Sequence, residues 1–338
     1  MQRRRHLPAD GGRARLAPRR PDAAEVLMTR WWPLPAVALL AALPALLTPY
    51  TSDLVVQVFV LAVFALSLEL LVGMTGLVSL GHAAFYGIGA YVAVLASPAA
   101  GAGNLLVLLG ASVGAAALYA LFVGTFSLRT RGVYFIMVTL AFSQMAYFVF
   151  HDTGLAGGSD GLFLARPPTL GPLDAGNRRQ FYYLALAALA ITYALLALLR
   201  RSRFGHALAG IRVNEQRMRA AGFATTLYKL AAFVIAGALA GLAGCLLALK
   251  DGAVNPELLS WHESGAVLLM IILGGVGHLR GAVIGALAFV LLKELYSTPA
   301  VVGDFLAGHW PLTLGLTIIA FVALLPRGLI GLFERRPR

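Results

Sequence analysis

The sequence predicts an all-α, polytopic integral membrane protein with about ten transmembrane helices, some of them broken at glycines, and with both termini cytoplasmic. Three observations support this fold class. The 338-residue chain is 59% hydrophobic and only 12% charged, so it lacks the polar surface that a soluble domain needs. Apolar runs of about 20 residues, the length that crosses a bilayer, recur from end to end. Most arginines lie in short segments between these runs, as loop charges of a membrane protein do.

The two ends of the chain differ from its middle. Residues 1–30 predict a disordered basic tail, because Arg, Pro, Ala and Gly dominate and no apolar core is present. Met28 directly precedes the first apolar run, so a mis-called start at residues 1–27 is the alternative interpretation. Residues 31–326 predict the transmembrane domain, and 327–338 a basic cytoplasmic tail. The first run ends in "LLTPYTSD" without a small-x-small cleavage site, which favours a retained span over a signal peptide.

Apolar runs between polar or Gly/Pro breaks predict ten spans. They are 32–48, 54–72, 76–96, 104–127, 132–150, 181–199, 227–249, 264–279, 281–297 and 310–325. Span 76–96 and the pair that flanks "GGVGHLRG" are rich in glycine, so each is expected to be re-entrant or partly unwound.

The distribution of basic residues predicts the orientation. If the N-terminus is cytoplasmic, most of the 27 Lys and Arg residues fall in inner segments. The outer loops hold only Arg166, Arg178, Arg179 and Lys250. This asymmetry obeys the positive-inside rule and predicts that both termini are inside. The net charge of +12 is therefore explained by topology, and no nucleic-acid partner is expected.

Two loops are too long to be simple connectors. The outer loop, 151–180, contains "TGLAGGSDGLFLARPPTLGPLD", whose Gly and Pro density predicts tight turns or short non-helical structure at the outer mouth. The inner loop, 200–226, has no proline and predicts a short helix from about Asn214 to Ala221. Gly222 is a favourable residue just past the end of such a helix.

Several function classes lack their sequence signals. The chain contains no G-x-x-x-x-G-K-[ST] phosphate-binding loop, no H-E-x-x-H and no G-x-S-x-G. Its single cysteine, Cys245, lies in an apolar run, which predicts a packing residue and neither a disulfide nor a cysteine metal site. Translocation is therefore favoured over an intramembrane enzyme, and neither a metal nor another cofactor is expected in this chain.

Few ionisable residues lie within the predicted spans. Glu69 is expected to face a cavity or a polar partner or to be protonated, with snorkelling to the inner interface as the alternative. His82 is expected to be a buried histidine bonded to a backbone carbonyl. Lys293 and Glu294 lie near an outer span end, which favours interfacial anchoring. These residues form no proton relay, so the energy source is expected outside the chain, with the inner loop as its docking surface.

Glycine patterns mark close helix contacts and possible breaks. Gly237–Gly241 and Gly281–Gly285 are G-x-x-x-G pairs, which favour close packing of helices in lipid. The clusters 73–89 and 274–285 interrupt apolar segments in the two halves of the chain. Such paired interruptions are typical of broken helices that line a transport pathway.

Four segments, in order, resemble permease subunits of branched-chain amino acid ABC importers. They are "LELLVGMTGLVSLGHAAFYGIGAYVAVL" (68–95), "HDTGLAGGSDGL" (151–162), "SRFGHALAGIRVNEQRMRAAGFATTLYKLAAFVIAGALAGLAG" (202–244) and "GGVGHLRGAVIGA" (274–286). The resemblance covers about residues 50–330 and is specific to the M-type (LivM-like) member. It implies a permease that works with a second homologous permease or a copy of itself, two ATP-binding subunits and a periplasmic or extracellular solute-binding protein.

The resemblance and the two glycine clusters together predict two sets of site residues. The loop 205–222 is expected to couple to the ATPase. The coupling residues are Gly205, Arg212, Asn214, Glu215, Arg217 and Gly222. The expected substrate path follows the glycine-rich segments. Its residues are Glu69, Gly76, Ser79, Gly81, His82, Tyr86, Gly87, Tyr91, Gly274 and Gly275.

The sequence departs from the family pattern at a few positions. Arg217 and Met218 stand where alanines are usual, which is expected to alter the ATPase docking surface. Glu69 stands where asparagine is common, which is expected to bear on substrate choice. Urea, short amides and other small amino acids are alternative substrates, and a secondary transporter or a channel is a less favoured class.

Overall fold

The computed structural model describes residues 40–45, 48–98, 102–171, 173–299, 303–304, 308–325 and 327–332. The predicted basic tail, most of the first predicted span and residues 333–338 lie outside them. The chain divides into two compact units, Met1–Leu43 and Pro44–Arg338. In the first unit, residues 40–42 are helical, and the elements below belong to the second.

The second unit is predominantly helical. Its α-helices within the described residues are α1 (Pro49–Glu69), α2 (His82–Leu95), α3 (Leu105–Ser127), α4 (Val133–Asp152), α5 (Arg178–Arg201), α6 (Arg203–Val213), α7 (Glu215–Ala220), α8 (Thr225–Asp251), α9 (Trp261–Gly274), α10 (Leu279–Ser297) and α11 (Trp310–Leu324). Its short strands are β1 (Leu162–Phe163), β2 (Thr169–Leu170), β3 (Leu173–Asp174) and β4 (Ala253–Val254), which pair antiparallel as β1 with β4 and β2 with β3.

Polar side chains fix where several helices begin. Thr48, Asn104 and Asn177 each accept a hydrogen bond from a backbone N–H in the first turn of α1, α3 and α5. Ser202 and Asn214 do the same for α6 and α7. These groups occupy N–H donors that have no partner inside the helix. The local sequence therefore determines these helix starts.

The structure does not confirm the predicted number of ten spans. Each predicted span from 54–72 onward coincides with a helix in the described residues. By length and hydropathy, five helices reach across a membrane: α1 with its extension to Thr75, α3, α4, α5 and α8. Helices α9 and α10 qualify only as a pair bent by 115°, and α2 and α11 are shorter apolar helices. The prediction that the glycine-rich spans are broken or partly unwound is confirmed by the irregular residues 77–81 of span 76–96 and by the bend of the α9–α10 pair.

The break before α2 has a defined geometry. Helix α1 continues as π-helical turns over Leu70–Thr75, and Gly76 ends them with a left-handed φ of 74°. Residues 77–81 are irregular until α2 starts at His82. In this segment the Ser79 hydroxyl accepts the Gly81 N–H at 3.2 Å. Ser79 thus satisfies a donor that the missing helical turn leaves free.

A second irregular segment lies between α8 and α9. The run from Val254 to Ser260 is largely buried, and the side chain of Leu259 packs against Gly87 in the middle of α2. Serines of neighbouring helices bind this segment and the start of α2. Ser143 of α4 donates to the Leu259 carbonyl at 2.9 Å, and Ser264 of α9 accepts the Ala83 N–H at 2.8 Å. Irregular backbone at this position is thereby kept away from lipid and hydrogen-bonded.

The core depends on backbone-to-backbone approach around α8. A Cβ placed on Gly244 would overlap the carbonyl oxygen of Tyr86, and one on Gly89 would overlap the backbone of Gly241. The Gly237–Gly241 pair packs on Ala116 and Ala120 of α3. In the same way Gly281 and Gly285 of α10 lie on the backbone of the α9 end. Both predicted G-x-x-x-G pairs are therefore helix contacts.

Several long-range contacts join residues that were predicted to lie on the same side of the membrane. At one end Arg178 pairs with Asp53 at 3.7 Å, and the Tyr50 hydroxyl donates to Glu294. The Leu164 N–H reaches the Gly252 carbonyl at 2.8 Å at this end too. All of these residues were predicted to be outer. Segments predicted to be inner, 73–75 and 200–226, meet at the other end.

We predict that Gly244→Ala prevents stable packing of α8 on α2. The added methyl group meets rigid backbone and not a movable side chain, so a cost of about 1–3 kcal/mol or more is expected. The measurement is the thermal midpoint of the detergent-solubilised protein by size-exclusion chromatography.

Gly114→Ala is the matched control, because a Cβ at this position on α3 meets nothing within 4 Å. It is expected to leave the midpoint unchanged or to raise it slightly through helix propensity. Equal midpoints for Gly244→Ala and the wild type would refute the packing account.

Candidate functional site

The candidate site is the loop 200–226, which is predicted to be cytoplasmic, together with the helix ends it contacts. Helices α6 and α7 form this loop, and Asn214 separates them by capping α7 through a 2.9 Å bond from the Arg217 N–H. Gly222 follows α7 with a φ of 86°, a conformation that glycine adopts without strain. The predicted helix, Asn214 to Ala221 with Gly222 after it, is confirmed to within one residue at each end.

Glu215 fastens α7 to the start of α8. Its carboxylate binds Arg219 at 2.6 Å within α7 and Lys229 of α8 at 2.6 Å. The Thr225 hydroxyl donates to the same carboxylate at 3.1 Å. Lys229 is 13% exposed, so this pair is screened less by salt than a surface pair. Glu215 was predicted to contact an ATPase, and the structure places it inside an internal ion-pair cluster.

The charge state of Glu215 follows from these neighbours. Partial burial opposes ionisation and is the largest single effect, but it is outweighed by Lys229, Thr225 and Arg219 together. They hold the pKa of the Glu215 carboxyl below its usual value. The group is therefore ionised at neutral pH.

Arg212 ties α6 to the glycine-rich end of α1. Its guanidinium donates to the Gly73 carbonyl, and its side chain lies beside Gly76. Gly205, at the start of α6, is buried against the backbone of Leu199 and Arg200. The loop thus meets the transmembrane helices at two separate points, the end of α1 and the start of α8.

Met218 is one of the two departures from the family pattern in this loop, and it has an internal packing role. A Cβ on Gly210 of α6 would lie 2.9 Å from the Met218 sulfur, so Met218 packs α7 directly on α6. Arg217 is exposed. The two departures therefore occupy different environments, one internal and one on the surface.

Glu69 joins the two glycine clusters. It is 2% exposed, which rules out snorkelling, and its Oε1 accepts the Gly277 N–H at 2.7 Å. Gly277 lies in the turn between α9 and α10, with Gly274 and Gly275 just before it. Gly73 lies directly against the Glu69 carboxylate. The carboxylate thus bridges the end of α1 to the break in the α9–α10 pair.

The remaining predicted path residues lie in the buried core around α2. His82 Nε2 and the Ser67 hydroxyl are 2.8 Å apart, so the partner of His82 is a side chain and not the predicted backbone carbonyl. The Ser67 hydroxyl donates its proton to the Phe64 carbonyl oxygen. His82 Nε2 is therefore the donor in the bond to Ser67. Tyr86 stacks on Phe64 at 4.3 Å.

Tyr91 contacts Phe150 at 4.5 Å between ring centroids. Gly81 lies on the backbone of Thr139 and Gly87 on Leu259. These contacts give each residue a packing role, and the path role stays a prediction.

Some residues of this arrangement were missed from the sequence. Lys229 was included in a predicted span without a role, and Ser143 and Ser264 read as ordinary small residues. Glu263 was placed just outside a span, but it lies in the first turn of α9. In the sequence these residues are recognisable only as polar residues within or beside an apolar run. That pattern does not show which distant residue each one contacts.

Comparisons with known proteins agree on one family. The family model described as "Branched-chain amino acid transport system / permease component" matches residues 50–324. The chain is 32% identical over 279 residues to the high-affinity branched-chain amino acid transport system permease protein LivM of Salmonella typhimurium, covering 75% of this chain and 65% of the relative. For LivM of Escherichia coli the identity is 31% over 283 residues, covering 77% and 66%.

A relative of a second permease type is matched over a larger share of its own length than the LivM relatives are. The permease protein LivH of Escherichia coli is 24% identical over 295 residues, covering 80% of this chain and 91% of the relative. This chain spans less than two thirds of the length of the two LivM relatives. No solved structure matches the chain.

We predict that Glu69→Leu lowers the thermal midpoint of the purified protein. Leucine cannot accept the Gly277 N–H, and a partly buried donor that loses its partner costs up to about 1–3 kcal/mol. Glu69→Gln is the control, because its amide oxygen keeps the acceptor. Equal midpoints for the Leu and Gln variants would show that the bond to Gly277 does not stabilise the fold.

We predict that the attachment of α7 weakens in acid. Because the pKa of Glu215 is lower in the folded state, its contribution is present at neutral pH and is lost as pH falls through that pKa. Amide hydrogen exchange over residues 214–222, corrected for intrinsic rates, is expected to accelerate in acid. Glu215→Gln is expected to exchange fast at every pH, and an unchanged acid response in this variant would exclude Glu215 as the cause.

Proposed function

Because this chain belongs to the permease-component family of branched-chain amino acid transport systems, we propose that it is the transmembrane permease subunit of an ATP-driven ABC importer in the bacterial cytoplasmic (inner) membrane. It is a transport protein and not an enzyme. Its proposed cargo is a branched-chain or related small amino acid, moved by alternating access. Partner subunits hydrolyse the ATP, and this chain needs no cofactor of its own.

The pair of ties between the cytoplasmic loop and the membrane helices carries this proposal. Arg212 holds α6 to the end of α1, and Glu215 holds α7 to the start of α8. A movement imposed on the loop from the cytoplasm is passed to both helices, because each tie is a charged hydrogen bond. Alternating access requires such a connection between an energy source and the helices that change position.

The surface of α7 is the proposed contact for an ATPase subunit. Asn214, Arg217 and Gly222 are exposed, whereas Gly205 is buried and Arg212 and Glu215 are engaged within the chain. The six predicted coupling residues therefore divide into an exposed contact set and an internal set that fastens the loop. Arg217 gives this surface a positive charge where the family usually has alanine.

The outer loop is the proposed contact for a solute-binding protein. It is held to the start of the irregular segment after α8 by the pairing of β1 with β4. Phe163 of β1 is 76% exposed, which gives the outer end an apolar contact point. A protein docked here would press on the segment that leads to Leu259 and α2.

The lateral surface is proposed to meet lipid and a second permease. Helices α3, α4 and α11 expose many large apolar side chains, among them Leu118, Tyr134, Met145, Leu316 and Ile319. This chain is similar to both LivM and LivH, which supports a homologous partner, and a second copy of this chain is the alternative. Urea or a short amide remains the alternative cargo.

We predict that Gly222→Pro and Glu215→Arg each abolish ATP-dependent uptake of radiolabelled leucine while the protein still inserts into the membrane. Proline cannot adopt the positive φ at 222, and arginine at 215 faces Lys229 and Arg219 with a like charge. The measurement is uptake by cells that contain the full importer, with membrane levels determined by immunoblot. Normal uptake by either variant would contradict the coupling assignment.

The matched control exchanges the charges of one ion pair. Glu215→Lys alone is expected to block uptake, and adding Lys229→Glu is expected to restore a measurable part of it. Uptake that resists ATP depletion but collapses with the proton gradient would instead favour a secondary transporter. A cargo that only equilibrates would favour a channel.

A further inference from the structure

The segment that leads into α9 presents polar side chains on the surface of the chain. Asn255, Glu257, Trp261 and His262 are exposed, and Trp261 keeps 45% of its accessible surface. The rings of Trp261 and His262 lie against each other with centroids 4.0 Å apart. We call these four residues the polar strip.

Two buried contacts join this segment to α2 and fix the level of the polar strip. Leu259, which precedes Trp261 by two residues, packs against Gly87. The Ser264 hydroxyl, three residues after Trp261, accepts the Ala83 N–H at 2.8 Å. The two rings of the strip therefore lie between two successive levels of α2.

These levels correspond to the middle of a helix that is long and apolar enough to cross a membrane. Tyr86, next to Gly87, stacks on Phe64 of α1 with ring centroids 4.3 Å apart. Phe64 lies about 22 Å along α1 from Pro49, and the whole span of 27 residues is about 40 Å long. The polar strip is therefore near the centre of the span and not at its outer end.

The side chain of Leu118 on α3 shows the contrast at a similar level. It is 69% exposed, and its neighbour Ala116 contacts Gly241 of α8, which itself contacts Gly89 of α2. Lipid accepts an exposed leucine, but an exposed carboxylate or imidazole in hydrocarbon is unfavourable. The polar strip therefore needs water beside it.

The path residues that were predicted on α2 are closed to solutes in this conformation. His82, Tyr86 and Tyr91 are each at most 2% exposed, and all three pack against aromatic rings. The polar strip lies at the same level and is open on the surface of this chain. A solute can reach the strip without any separation of helices.

We propose that the polar strip lines a water-filled path for the cargo and that the second permease subunit closes this path on its other side. Within the described residues this chain leaves the strip exposed, so a further subunit has to keep lipid away from it. The inference rests on the proposed function and deepens it, because it names residues that the cargo passes.

The order of the residues along the chain gives the path a direction. Strand β4, which directly precedes Asn255, pairs with β1 of the outer loop. Asn255 and Glu257 are therefore nearest the proposed contact for the solute-binding protein, and His262 lies deepest. A cargo released at the outer loop meets the strip next.

Cysteine accessibility tests the inference, and the chain is well suited to it. Its single cysteine, Cys245, is buried, and Cys245→Ala supplies a background without a thiol. His262→Cys and Glu257→Cys are introduced separately, with Leu118→Cys as the matched control. Each variant is assembled into the complete importer in proteoliposomes. A membrane-impermeant, positively charged methanethiosulfonate is added, and its reaction is followed by the mass of this chain.

Cysteines at positions 262 and 257 are expected to react at least about tenfold faster than one at position 118. The reacting species is the thiolate, which forms in water and is strongly disfavoured in lipid. Modification at position 262 is also expected to abolish leucine uptake, because the attached group obstructs the path. A photoreactive maleimide at position 262 is expected to link this chain to the second permease subunit.

Reaction at 262 and 257 as slow as at 118 would overturn the inference. Reaction rates require only the assembled complex, so they remain decisive in a variant that loses uptake. Rapid modification of both positions without any loss of uptake would also overturn it, as would photochemical linkage to lipid alone.

Failure of the proposed function gives a different result. A wild-type complex without ATP-driven uptake of leucine would refute the proposed importer of this cargo, even if positions 262 and 257 react rapidly. Normal uptake together with an unreactive strip would refute the path and leave the importer role intact.

Discussion

The requirement that buried backbone groups find partners governs this structure more than any other constraint. Three stretches between the apolar helices are not α-helical: 77–81, 254–260, which contains a 3₁₀ turn at Pro256–Leu259, and 275–278. Lipid cannot hydrogen-bond the amides that these stretches release. Ser79 serves the first stretch, Ser143 the second and Glu69 the third. Each of these stretches thus forms a hydrogen bond with a polar side chain, either from the same stretch or from a neighbouring helix. The arrangement of the helices follows from these hydrogen bonds.

Glycine and serine have complementary tasks in that arrangement. Glycines at 89, 241 and 244 bring α2 and α8 so close that backbone touches backbone. This packing holds α2 in place even though it is only 14 residues long. The serines then secure the chain where it enters α2 and just before it enters α9. A short central helix is stable here because its neighbours, and not its own length, satisfy its ends.

The sequence was sufficient for elements with local causes. Hydropathy located the helices, Asn214 and Gly222 bounded α7, and glycine density identified the broken spans. It was insufficient where the cause is a distant contact. Nothing near Glu69 indicates that its partner is an amide more than 200 residues away, and Lys229 gives no local sign that it binds Glu215. Glu263 was missed because a boundary error of a few residues decides whether a carboxylate is counted as inside the membrane.

The contact between Met218 and Gly210 makes these two positions mutually dependent. A larger residue at 210 would collide with the methionine sulfur, and a smaller residue at 218 would leave the glycine face of α6 uncovered. A side chain added at Gly210 would therefore require the flexible end of Met218 to move, which links the packing of α6 on α7 to the size of both residues. Arg217 is exposed, so a change there alters the surface of the loop and not this internal contact.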